Sequence, residues 1–165
     1  MTDLRTPAAT TAPSHRISVA ELPSLAGRDL GTSQRIRITQ EQIDAFAAAT
    51  GDHQWIHVDP ERAKDGPFGT TIAHGYLTLA LAVPLFWEIL DVDDATQIIN
   101  YGLNKVRFPA PVPVDSEVGA SARILAVDPV RGGSQLTVAL TFTAAGIDRP
   151  VCVAEMIIRY LGADA

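Results

Sequence analysis

Asp52 and His57 are the two side chains of this 165-residue chain whose types and spacing point most directly to chemistry. Four residues separate them in a segment without helical or strand periodicity, so both side chains can turn toward one point. A carboxylate and an imidazole that meet can hold a water molecule between them and move protons to and from it. Read singly, each has a plainer role. Asp52 follows a helix end, where aspartate is a common turn residue, and His57 fits a partly buried, satisfied histidine. His53 stands four residues before His57 with Asp52 and Asp59 nearby, a superficial metal-ligand cluster. A zinc-protease helix would carry glutamate after the first histidine, where this chain has Gln54, and Gly51 and Pro60 leave such a helix little length. No metal is expected, and His53 reads as a surface residue. His74 and Gly75 open a long apolar run, where His74 fits a residue that caps or orients a helix start.

The elements that must position these groups are legible in outline. Residues 28–38 read as a strand ending in alternation, with Ile36 and Ile38 on one face. Thr39 with Gln42 forms a capping box for a helix whose buried stripe is Ile43, Phe46 and Ala47, ended by Gly51. From Asp52 to Gly75 the chain is polar and aperiodic, with a short helix start at Asp59-Pro60-Glu61; a loop this long in a compact domain is usually functional. The run from Tyr76 to Leu90 is apolar on nearly every face, as in an enclosed helix, and Pro84 should bend it. Trp55, Tyr76, Phe86 and Trp87 are expected to pack. From residue 97 the period becomes two. Strands are expected over 97–108, through Val118, Ala120, Ala122, Ile124 and Ala126, through Leu136, Val138, Leu140 and Phe142, and over Val151 to Tyr160. An antiparallel sheet wrapped around one apolar helix satisfies this order, an α+β fold.

Composition narrows the classes. Apolar residues at 47% exclude a disordered chain, and a net charge of -6 argues against nucleic acid or an anionic membrane surface as partner. The single cysteine, Cys152, allows no internal disulfide and sits in an alternating apolar run, as a small buried hydrophobe would. Residues 1–15 lack a secretory apolar core and read as a flexible tail before one domain spanning 16–165. A cytoplasmic protein is expected. No Gly-rich phosphate loop implies a nucleotide cofactor.

The stretch Phe46 to Ala63, FAAATGDHQWIHVDPERA, resembles the signature of the (R)-specific enoyl-CoA hydratases of the MaoC-like group, with Gly51-Asp52, Ile56, His57 and Ala63 at matching spacing. Ile72-Ala73-His74-Gly75-Tyr76-Leu77 resembles the start of that group's central helix, and Asn100 to Pro109 the first sheet strand after it. Gln54-Trp55 replaces the Asn-Pro of the general signature, as in the branch holding nodulation-protein-N-like and mycobacterial (R)-hydratases. The resemblance covers roughly residues 28 to 160. It implies a hot-dog fold, hydration of a trans-2-enoyl thioester on coenzyme A or an acyl carrier, no cofactor beyond coenzyme A as part of the substrate, and a homodimer. It also implies Asp52 and His57 as the catalytic pair; the sequence leaves open which is acid and which is base, with His57 activating water and Asp52 returning the proton as the favoured split. A thioester oxygen gaining charge needs preset donors. Gly75, side-chain-free at a helix start, is the expected oxyanion donor, and His74 can touch the substrate there. Lys105, Arg107 and Arg123 can meet coenzyme A phosphates, or simply line a solvated strand face. Two rivals remain: a hot-dog thioesterase, and a non-catalytic acyl-thioester-binding protein.

Overall fold

The clearest alternation in the sequence becomes the middle of a sheet. Residues 13–163 are described by a computed structural model. In chain order they form β1 (His15–Ile17), a 3-10 helix (Val19–Leu25), β2 (Asp29–Thr32), β3 (Ile36–Arg37), α1 (Gln40–Thr50), α2 (Trp55–Val58), α3 (Pro60–Lys64), α4 (Gly75–Ala80) and α5 (Ala82–Ile89). Then come β4 (Leu90–Val92), β5 (Gln97–Arg107), β6 (Glu117–Val130), β7 (Gly133–Ala144) and β8 (Cys152–Leu161). The main sheet runs β2-β6-β7-β8-β5, with β3 also on β6. Its pairings are antiparallel. Leu136, Val138, Leu140 and Phe142 of β7 all face inward and are fully buried. Their cross-strand partners continue the same apolar rows: Val138 lies between Ile124 and Met156, and Phe142 between Ala120 and Cys152. Stacking apolar residues in rows across strands is what gives one face of the sheet to the core. Cys152 belongs to that core, and burial pushes its thiol pKa up to about 11.

Helix α5 fills the concave side. Ala82, Leu85, Phe86 and Ile89 are buried at helical spacing, while Trp87 is 42% exposed. The enclosed helix expected from the sequence is therefore amphipathic within this chain, and Tyr76, at 73% exposure, is not core either. The chain leaves regular helix at Leu81, between α4 and α5. Pro84 explains the place: it has no N–H for the Ala80 carbonyl, and its ring crowds that carbonyl.

Three further departures have local causes. The strand expected over 28–38 is split into β2 and β3, and its Ile38 is buried as expected. Strand β6 shifts register between Ile124 and Ala126, so Val127 rather than Ala126 pairs with inward Leu136. The extra residue, Leu125, is 44% exposed, as a bulge leaves it. His15, assigned to the tail, already belongs to β1: it pairs in parallel with β4 and its Nε2 lies 3.0 Å from the Leu30 carbonyl. Residues 1–12 of the expected tail lie outside the described residues.

Helix α1 forms as its capping box dictates. Thr39 accepts from the Gln42 amide, the Gln42 side chain reaches back to the Thr39 N–H, and Gly51 closes the helix at φ 79°. That left-handed turn releases the chain into the segment carrying Asp52.

Candidate active site

The loop expected from Asp52 to Gly75 contains two short helices, and they place the site. His57 sits on α2 rather than on irregular chain. Asp59 caps α3, accepting from the Arg62 amide, with Pro60 in its first turn. The Arg62 guanidinium lies 4.4 Å over the Trp55 ring, and Gly66 passes so close to that ring that a Cβ there would collide with it. Trp55 thus locks α2 to α3, the packing role expected of it.

Behind His57 runs Thr71–Ala73, held on both sides: the Ile72 amide donates to the Ile56 carbonyl, and the Ala73 amide to the Val112 carbonyl. The Ile72 carbonyl is thereby fixed, and it lies 2.7 Å from His57 Nδ1. A carbonyl oxygen only accepts, so Nδ1 carries the proton and Nε2 keeps its lone pair. From the α1 side, Gln40 Nε2 donates to the His57 carbonyl at 2.7 Å, and buried Thr71 donates to Gln40 Oε1 at 2.6 Å. Neither Gln40 nor Thr71 was foreseen from the sequence. Their types are unremarkable at a helix start and in a loop, and their partners lie 17 and 31 residues away.

Asp52, His57 and His74 converge, with a ligating atom of each within 4.8 Å of the others. Asp52 is exposed, His57 is 6% exposed and His74 2%. The His57 and His74 rings stack at 3.8 Å and 24°. His74 is the N-cap residue of α4, as one half of the expected capping-or-orienting role has it, but its side chain makes no cap; its Nε2 lies 3.0 Å from the Asp52 backbone carbonyl. Burial holds the His57 pKa below its usual 6.5; the Ile72 carbonyl opposes this, His74 adds to it and Asp52 opposes it. A neutral imidazole with a free Nε2 near a carboxylate is a proton acceptor at neutral pH.

The same three residues offer two nitrogens and an oxygen to a metal ion. Rings this nearly parallel send their lone pairs side by side, so neither could aim at a common ion about 2 Å away without rotating. His53 is exposed and outside this group.

His57 and Gly75 border one open cavity of about 300 Å³, walled also by Phe68, Ile72, Thr78 and Phe108. Gly75 is the first residue of α4, where a backbone N–H has no acceptor within the helix. A Cβ at Gly75 would stand 3.1 Å from the Phe108 ring, so glycine keeps this wall open. The expected phosphate contacts are less concentrated. Lys105 pairs with Glu155 at 2.9 Å, and Arg123 lies 3.8 Å from Asp29. Lys105, Glu155, Ala139 and Arg123 occupy one cross-strand row, which sets the two cations three strand spacings apart. Arg107 donates to the Val106 carbonyl and makes no ion pair among the described residues.

An antiparallel sheet curled around a central helix, with the polar groups gathered where that helix begins, is the hot-dog architecture. The chain belongs to the MaoC-like family: residues 21–145 match the family model described as MaoC like domain. It is 54% identical over 145 residues to 3-hydroxyacyl-thioester dehydratase Z of Mycobacterium tuberculosis (strain H37Rv), covering 87% of this chain and 96% of that protein. It is 43% identical over 147 residues to nodulation protein N of Rhizobium leguminosarum bv. viciae, covering 87% and 91%. Among solved structures, unliganded R-hydratase PhaJ1 from Pseudomonas aeruginosa superposes with a TM-score of 0.71 at 23% identity, over 88% of this chain and 86% of that one.

Proposed function

We propose that this protein is an (R)-specific hydro-lyase that interconverts trans-2-enoyl and 3-hydroxyacyl thioesters. The observation that carries the reading is the fixed tautomer of His57: Nδ1 is spent on the Ile72 carbonyl, leaving Nε2 as a base on a ring that converges with the Asp52 carboxylate. In the hydration direction, Nε2 takes a proton from water as the water oxygen bonds to C3. The C2–C3 π pair shifts toward C2 and the thioester oxygen. The proton then passes by way of the Asp52 carboxylate to C2, so all atoms of the water end in the product and both side chains return to their starting state. The Gly75 N–H, free at the helix start and bordering the same cavity as His57, donates to the thioester oxygen while it carries charge. Arg107, without an acidic partner among the described residues, is the cation best placed by charge to meet a coenzyme A phosphate; Glu155 and Asp29 weaken that role for Lys105 and Arg123.

The test is hydration of crotonyl-CoA, followed by loss of enoyl absorbance, with chiral analysis of the product. Asp52→Asn and His57→Ala should each lower kcat by roughly 10²- to 10⁴-fold, the range of general acid–base catalysis. Release of free thiol in place of a hydroxyacyl product would make the protein a thioesterase. Tight binding of enoyl-CoA without turnover would make it a binding protein.

The homodimer rests on β5. Among the described residues this strand pairs only with β8, and Ile98, Ile99, Tyr101 and Leu103 on it are 39% to 56% exposed. A long apolar edge is an invitation to pairing, and a second copy covers it. No helix among the described residues is long and apolar enough to cross a membrane; action on a water-borne thioester in the cytoplasm accords with that.

A further inference from the structure

His74 is buried and its ring is engaged on every side but one. Its Nε2 faces the Asp52 carbonyl at 3.0 Å, one face stacks on His57 at 3.8 Å, and Phe46 of α1 lies 5.0 Å away at a tilt. Its Nδ1 is buried with no hydrogen-bond partner among the described residues. Since the Asp52 carbonyl can only accept, the His74 proton sits on Nε2.

We propose that His74 is a positioning residue: it holds Asp52 by the backbone carbonyl and holds the His57 ring by stacking, so that carboxylate and free Nε2 address the same water. The two members of the pair come from different elements, Asp52 from the chain after α1 and His57 from α2, and His74 touches both. The inference rests on the hydratase reading for its kinetic consequence and on the ring geometry for its structural one. The groups facing His57 electrostatically are His74 and Asp52 themselves.

Two measurements test it. Ring-nitrogen NMR of the unmodified protein should show a proton on His74 Nε2, hydrogen-bonded to the Asp52 carbonyl. A proton on Nδ1 with none on Nε2 would overturn the proposal. For crotonyl-CoA, His74→Phe keeps a stacking ring without the N–H, and His74→Gln keeps a donor without the ring. Both should lose about 10- to 100-fold in kcat, as small misplacements do, with KM changed by less than about threefold. His57 should keep its single tautomer in His74→Phe and lose it in His74→Gln. Wild-type kcat in both variants would sink the idea. If the unmodified protein hydrates no enoyl-CoA, the functional reading fails while the ring spectrum still decides the positioning. Should either variant not fold, as judged by circular dichroism, that same spectrum decides.

Discussion

His57 is neutral by construction, and that has a signed consequence for pH. Its pKa in the fold lies below the usual 6.5, chiefly through burial. The base form therefore persists as pH falls past 6.5, and kcat/KM should decline on the acid side with a midpoint below that value. A midpoint at or above 6.5 in the pH–rate profile would contradict the assignment of His57 as base. Linkage runs the same way. An unfolded chain binds the proton first, so this group's contribution to stability is full above 6.5 and is lost as pH falls through the folded pKa. The meeting of Asp52 with His57 was readable from their closeness within one motif, and the place of Gly75 at a helix start from a second motif. The setting of His74 was not readable. Its partners lie 17 and 22 residues earlier, and neither a stack nor a carbonyl contact leaves a trace in residue type.

At the level of elements, the site is an assembly of short pieces. Helices α2, α3 and α4 have four, five and six residues, below the length at which a helix holds itself. Their rigidity comes from cross-ties, and Gln40 is one, joining the first turn of α1 to the His57 carbonyl and to Thr71. Gln40→Ala would leave the buried Thr71 hydroxyl without its acceptor, a loss of about 1–3 kcal/mol. Urea unfolding should register that cost, and kcat should fall with it because α2 is freed on one side. Unchanged stability and kcat would remove Gln40 from the account. Capping made α1 readable in both its limits, and alternation made β7 and β8 readable. The bulge in β6 was not, since Leu125 and Ala126 extend an apolar run whose phase only the pairing with β7 decides.

For the molecule as a whole, one face of the chain carries exposed apolar surface. Strand β5 is exposed along nearly its full length, and Tyr76 and Phe108 add aromatic surface in edge contact at 6.2 Å. Leu103→Glu puts a charge on that strand and should convert a dimer to a monomer by light scattering, with turnover falling in parallel. A wild-type mass equal to one chain would rule the dimer out. The sequence hid this face for a physical reason. Exposed apolar residues are of the same types as core residues, so Tyr76 and Trp87 looked interior.

Cys152 brings an experimental convenience. It is the chain's sole thiol, enclosed in the row with Phe142 and Ala120 and held in its protonated form by burial. A chromogenic thiol reagent added to the native protein should find almost nothing to react with. The protein is thus silent in the assay that separates a hydratase from a thioesterase, and any colour that develops reports coenzyme A set free. The same silence ends when the sheet opens, so under denaturing conditions the rate of labelling becomes a clock for unfolding.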